Sequence, residues 1–172
     1  MRSIHSNEAV LDDSIFLGRA AEALSTLIAK QVEAVFNRVG IVVPVKSCSL
    51  LSTLAAREPA SAADLAKSLD QSHQLVLQKV PALINLKLIR RKPDATDRRR
   101  KVYCLTARGR RQLDRLRRFS PAITSVYAEL NAEIAVDLCV TLEEASRRLR
   151  NRPLIDRFPE AALEAMEQDI EP

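Results

Sequence analysis

The chain has 172 residues, a formal net charge of +5 and 47 % apolar residues, with only 3 % aromatics and no Trp. That length suits one ordinary domain or two small ones, stable without a disulfide or a metal. Cys48, Cys104 and Cys139 are odd in number, far apart and without a CxxC pair, which argues against a disulfide framework or a thiolate zinc site and for a reducing cytoplasm. The polar stretch from Met1 to Ser14 lacks the apolar centre of a secretory signal. No apolar run approaches the roughly 18 residues that would span a bilayer, so no membrane association is expected.

Glycine occurs only at positions 18, 40 and 109, while Ala, Leu, Arg and Glu are abundant, so a mainly α chain is expected. Ser14 to Val39 reads as a long amphipathic helix, with Asp12 or Asp13 as N-cap and Gly40 as its stop. Phe16, Ala20, Ala23, Leu27, Ile28 and Val35 recur on it near helical spacing. A second helix is expected from Val45 to Arg57, ended by Glu58-Pro59 because the residue before proline disfavours helical backbone. Ser61 caps a short third helix ending near Leu69. After a tight turn at Asp70 and Gln71, Ser72 caps a fourth helix reaching about Leu86. Two short helices joined in this way describe a helix-turn-helix.

Leu88 to Lys92 and Lys101 to Leu105 are short, rich in Ile, Val, Leu and Tyr, and separated by a polar loop, so they are expected to pair as a hairpin. Alternation along the first strand should leave one or two of Arg90, Arg91 and Lys92 facing solvent. A helix-turn-helix followed by a hairpin is a winged helix, with the hairpin as its wing. Thr106 caps a fifth helix, which Ser120-Pro121 should kink or restart because proline removes a backbone donor. An apolar stripe through Ile123, Val126, Tyr127, Leu130 and Ile134 continues beyond it. Thr141 to Glu144 reads as a capping box opening another helix through Leu149, and a last short helix can follow Pro159 in an acidic tail.

Charge is unevenly placed. From Lys87 to Arg118 there are fourteen Lys and Arg against three Asp, a local balance of +11, so the rest of the chain sums to −6. Such asymmetry points to a polyanionic partner for that region, a solvated charged face being the alternative. The stripes on the terminal helices exceed what the residues from Val45 to Arg118 can bury. They need either a second copy of the chain or their own winged helix to pack on.

The segment Asp94-Ala-Thr-Asp-Arg-Arg-Arg-Lys-Val-Tyr-Cys-Leu-Thr-Ala-Arg-Gly109 closely resembles the wing and following helix start of the MarR family of regulators. The family pattern is D-x-x-D-x-R, a short strand, then L-T-x-x-G. Asp94, Asp97, Arg99, Leu105, Thr106 and Gly109 match it, and the order of helices makes the resemblance run from about Ser14 to Leu149. It implies a cytoplasmic transcriptional regulator, a repressor by default, binding a palindromic operator in double-stranded DNA as a homodimer. The chain would divide into an N-terminal dimerisation helix (1–40), a winged helix-turn-helix DNA-binding region (41–106), C-terminal dimerisation helices (107–150) and an acidic tail (151–172). The resemblance further implies a sensor cleft for a small apolar or phenolic effector that releases DNA, or release on cysteine oxidation. Family oxidation sensors usually carry the reactive cysteine in the first helix, which has none here. Cys48, early in the second helix near where such a cleft could open, is still the candidate redox or ligand residue, with packing the expected role of Cys104 and Cys139.

By position Arg99 is similar to the family's wing arginine, suited to a narrow electronegative minor groove, and Asp97 to the carboxylate that orients it. An ordinary ion pair stiffening the hairpin is the other reading. Arg98 and Arg100, flanking the wing tip, are phosphate candidates. On the recognition helix Val76, Val80 and Leu83 should face inward, with Gln74, Gln78, Pro81 and Asn85 opposite and Leu75 and Ala82 alongside. Ser72, His73, Gln74 and Gln78 are its candidate DNA contacts, since Gln can bond adenine in two places. His73 can instead serve structure alone. The helix departs from the family pattern in lacking Ser, Thr and Arg on this face, in carrying Pro81 inside it, and in ending on Lys87 where glycine is common.

There is no glycine-rich phosphate loop, GxSxG or HExxH, and His5 and His73 stand far apart, so neither an enzyme, a cofactor nor a metal site is expected. The alternatives to a regulator are a winged helix that docks an acidic protein and one that binds structured RNA.

Overall fold

A computed structural model describes residues 13–94 and 99–168. A 3₁₀ turn at Asp13–Phe16 leads into α1 (Leu17–Val39). Gly40 ends α1 in the left-handed region at φ 68°, and a Cβ there would lie 2.6 Å from Arg115 Nη1. A second 3₁₀ turn at Val45–Ser47 opens α2 (Cys48–Arg57), and Glu58 turns extended before Pro59, as the proline requires. There follow β1 (Ala60–Ser61), α3 (Ala62–Leu69), α4 (His73–Asn85), β2 (Ile89–Pro93), β3 (Lys101–Leu105), α5 (Ala107–Ile134), α6 (Leu138–Asn151) and α7 (Glu160–Gln168). The architecture is the expected mainly α winged helix.

The expected hairpin is present, with Arg91 opposite Tyr103, but it belongs to a three-stranded antiparallel sheet in the order β1-β3-β2. Ala60 and Ser61 pair with Tyr103 and Val102, a two-residue strand too short to give a periodic signal. Arg90, Arg91 and Lys92 are all exposed, not one or two of them. β2 is the edge of this small sheet, and past Ile89 neither of its faces is covered.

The chain divides within α5 into two compact units, residues 1–119 and 120–172. In the first, Leu50, Leu51 and Leu54 of α2, Leu65 of α3, Val76 and Leu83 of α4, and Leu88 are fully buried and form the core. At about 1.5–3 kcal/mol for each buried Leu or Val, this cluster is the main source of the unit's stability. Val32 and Phe36 attach the end of α1, where Phe36 meets Phe119 edge to face at 5.2 Å. Gln112 of α5 accepts the Val42 N–H at 2.9 Å and donates to the Gly40 carbonyl at 3.2 Å, closing the α1–α2 connection.

The second unit contains no buried residue among those described. α5 is continuous through Pro121, so the helix does not restart there. Thr124 and Ser125 hydroxyls donate to the carbonyls of Ser120 and Pro121, adding local bonds beside the donor that proline removes. Ala135, left-handed at φ 55°, ends α5. The next helix starts four residues earlier than the Thr141 box implied, because Asp137 caps it by accepting the Val140 N–H at 3.0 Å. Glu144 holds Arg147 and Arg148 instead of a cap.

The threonine and glycine of the L-T-x-x-G pattern meet at one carbonyl. Thr106 N–H donates to Leu88 O at 3.0 Å, its hydroxyl donates to Lys87 O at 2.6 Å, and that hydroxyl accepts the Gly109 N–H at 3.0 Å. Gly109 lies so close to Leu88 that an added Cβ would collide with its carbonyl oxygen and stand 2.9 Å from its carbonyl carbon. Backbone atoms held between α4 and β2 cannot swing aside. Gly109→Ala is accordingly expected to destabilise the first unit by about 2–3 kcal/mol in urea unfolding, whereas Gly18→Ala, with open space around it, should not destabilise.

Candidate nucleic-acid interface

The helix-turn-helix is α3, a turn, and α4. Ser61 and Asp64 form a reciprocal capping box on α3, Asp64 Oδ2 accepting the Ser61 N–H at 2.9 Å. Asp70 makes the turn in the left-handed region at φ 51°, a conformation Asp tolerates better than most residues. Ser72 then caps α4, its hydroxyl accepting the Leu75 N–H at 3.1 Å. The first-turn N–H groups and the helix dipole favour an anion at this end.

α4 presents the predicted faces. Val76, Val80 and Leu83 are buried, and Ser72, His73, Gln74, Gln78, Pro81, Ala82 and Asn85 are exposed. Leu75, Leu77 and Ile84 are exposed as well. Lys79 is held, its Nζ donating to Gln71 Oε1 at 2.9 Å, and burial, then Lys46, lowers its pKa. Lys87 takes up a left-handed φ of 57°, doing the work of the missing glycine.

In the wing, Asp94 N–H donates to Arg100 O at 3.0 Å and closes the hairpin loop. Arg99 is exposed and lines a shallow depression with Arg91, Lys92, Pro93 and Lys101. Asp97 and Arg98 lie outside the described residues, and with them the expected Asp97–Arg99 pair. Arg100 is placed differently from its neighbour. Its Nη2 donates to Asp64 Oδ2 at 2.5 Å and to Ser61 Oγ at 3.1 Å, and its Nη1 lies 3.7 Å from Asp94 Oδ2. Arg100 thus joins the root of the wing to the N-terminus of α3. Sequence spacing could not reveal this, because 36 residues separate Arg100 from Asp64. Glu58 was also missed. It accepts the Leu105 N–H at 2.8 Å, pairs with Arg110 and pins the other end of β3.

Cys48 Sγ lies 3.7 Å from Pro44 O, and burial pushes its thiol pKa up to about 11. Only the thiolate reacts readily, so this environment keeps the residue inert. Cys104 is half-buried, while Cys139 is exposed and does not have the packed position expected of it. α6 buries nothing, so a residue on it has no core to enter.

Residues 43–100 match the sequence model of the MarR family. Those residues run from the α1–α2 connection to the end of the wing loop. That segment of the winged helix thus resembles the MarR family. Solved MarR-type structures share its fold over more than the matched segment. The PcaV transcriptional regulator from Streptomyces coelicolor, solved with its natural ligand, is 19 % identical with a TM-score of 0.60, covering 82 % of this chain and 96 % of its own. The transcriptional repressor CouR, solved on a 23-mer DNA duplex, is 20 % identical with a TM-score of 0.56, covering 80 % and 99 %. Another MarR family transcription regulator is 24 % identical with a TM-score of 0.54, covering 79 % and 93 %. No curated protein matches the chain.

Two outcomes are expected from this winged helix. Arg100→Ala should lower stability at neutral pH by up to about 1 kcal/mol, the range for partly exposed pairs. The Ser61 N–H, then its hydroxyl, and Arg100 hold the Asp64 carboxyl below its ordinary 3.8. The stabilising contribution is thus full above that value and is lost as pH falls through the lowered one. The difference between the variant and the parent should shrink in acid titrations of unfolding. Separately, iodoacetamide at about pH 8 should label Cys139 first and Cys48 about 100-fold more slowly than an ordinary thiol, because two pH units separate about 11 from the usual 9.0.

Proposed function

We propose that this chain is a cytoplasmic DNA-binding transcriptional regulator, a repressor that grips a palindromic operator as a homodimer. The observation that carries the reading is the concentration of positive charge on the wing of a capped helix-turn-helix. Residues 87–118 hold a balance of +11 against −6 elsewhere, and Arg90, Arg91, Lys92, Arg99 and Lys101 are all exposed. In this reading Ser72 and His73 meet phosphates, and Gln74 and Gln78 reach base edges in the major groove. Arg99, oriented by Asp97, enters the minor groove, with Arg98 on the flanking backbone. Arg100 acts chiefly by holding the wing against α3.

The dimer is supported by apolar surface left bare. Val126, Tyr127 and Ile134 of α5, Val140, Leu142 and Leu149 of α6, and Leu17 and Leu27 of α1 are exposed in a single chain. Apolar surface of this kind is buried between subunits in a stable oligomer. Release by a small apolar or phenolic effector follows the family resemblance, and PcaV was solved in complex with its natural ligand. The raised pKa of Cys48 speaks against its oxidation as the signal. The exposed Leu75, Leu77 and Ile84 favour a second reading, in which α4 docks a protein instead of DNA.

The deciding experiment is fluorescence anisotropy of the chain with duplex DNA from its own upstream region and with a scrambled duplex, across a salt series. Binding to the upstream duplex should be at least about 10³-fold tighter than to the scrambled one. It should weaken by about 10³–10⁵-fold between 50 and 200 mM salt if roughly 6–10 phosphates are neutralised. Arg99→Ala should weaken binding with the fold and dimer intact, and Tyr127→Glu should yield monomers by light scattering. Weak, equal binding to both duplexes would leave the protein-docking reading in place.

A further inference from the structure

The outward face of α4 carries no cation. α4 has one Lys and no Arg, and that Lys79 is tied to Gln71 on the flank of the buried stripe. Guanine is read in the major groove chiefly by Arg or Lys on its O6 and N7, and adenine by Gln or Asn on its N6 and N7. Thymine offers its C5 methyl to apolar side chains. At 100° per residue, Gln74, Gln78 and Asn85 fall within about 30° of the direction opposite Val76, Val80 and Leu83. Leu75, 40 % exposed, and Ala82, also exposed, lie along one side of those amides. Leu75 stands in the first turn, the part of a recognition helix that comes closest to base edges. Leu75 keeps that bare surface among exposed amides, and a thymine methyl is the groove feature it fits.

We infer that α4 reads adenine–thymine pairs, Gln74 and Gln78 bonding adenine while Leu75 packs on an adjacent thymine methyl. The inference rests on the proposed placement of α4 in the major groove. It adds that specificity requires no guanine under this helix and that Leu75 is a specificity-determining residue. Preference for A·T steps by the wing in the minor groove is a separate effect, because the minor groove shows no methyl group.

Uracil separates the two, since replacing thymine by uracil deletes the methyl and leaves base pairing and the minor groove unchanged. The full-length chain would first select duplexes from a random pool. The selected half-site should hold A·T pairs at the positions whose affinity depends on Gln74 and Gln78. Each thymine of the half-site would then be replaced by uracil in turn. At one or more positions the parent protein should bind about fourfold more weakly, the value of one buried methyl. Leu75→Ala should bind thymine and uracil duplexes alike, and because Leu75 is exposed the variant folds. Gln78→Ala should lose roughly 5- to 150-fold on the selected site and relax the choice of base at one pair. Sequence-specific selection with G·C pairs under α4, or with no uracil sensitivity at any position, would overturn the inference and leave the regulator standing. A pool with no enrichment at all would overturn both.

Discussion

The carbonyl of Leu88 is where three parts of the molecule meet. α4 ends just before it, β2 begins just after it, and α5 starts from Thr106, whose N–H donates to it at 3.0 Å. The Thr106 hydroxyl donates to the Lys87 carbonyl and accepts from Gly109, so one side chain holds the end of the recognition helix and the start of α5 together. Lys87 sits in a backbone region that costs a non-glycine residue roughly 1 kcal/mol or more, and these bonds keep it there. The wing cannot change its angle to α4 without breaking this junction. A reading helix and a charged hairpin held at fixed relative position are what a grooved, regularly charged polymer requires.

Arg99 and Arg100 are adjacent and chemically identical, yet they have different surroundings. Arg100 reaches back to Asp64 and Ser61, the two residues that already cap α3 on each other. An exposed ion pair alone contributes little. Here the carboxylate also accepts a backbone N–H and a hydroxyl, so the guanidinium joins an existing network. The arrangement fixes the root of the wing and leaves the exposed arginines nearer its tip to be placed by it. A positive loop without that anchor would lose more conformational entropy on meeting a partner.

Local signals were legible in the sequence and distant ones were not. Ser61, Ser72, Gly40 and Glu58-Pro59 each act within a few residues, and α3 and α4 appear where they indicated. The buried stripe of α4 follows from helical period alone. The third strand was invisible because two residues carry no period, and because Ala60 finds Tyr103 only through the fold. Thr141 misled for a different reason. The capping-box pattern is satisfied by composition, and Asp137 earlier in the chain takes the cap first. Of the candidate site, the exposure of Gln74, Gln78 and Arg99 was readable from spacing, whereas the tie from Arg100 to Asp64 and the inertness of Cys48 depend on packing.

Charge and discrimination are separated along this chain. The cations sit on the wing and the start of α5, where attraction to phosphate is strong and carries no base information. The amides and bare leucines sit on α4, where, under the proposed function, each contact would be weak but would depend on the base it meets. An arginine on α4 would strengthen binding to every sequence along with the intended one. Under the proposed function, keeping cations off that face would let the wing set how tightly the chain holds any duplex, and α4 set which duplex it prefers. The apolar surface of α1, α5 and α6 completes this division, since pairing two copies would double both contributions without a new contact to DNA from either.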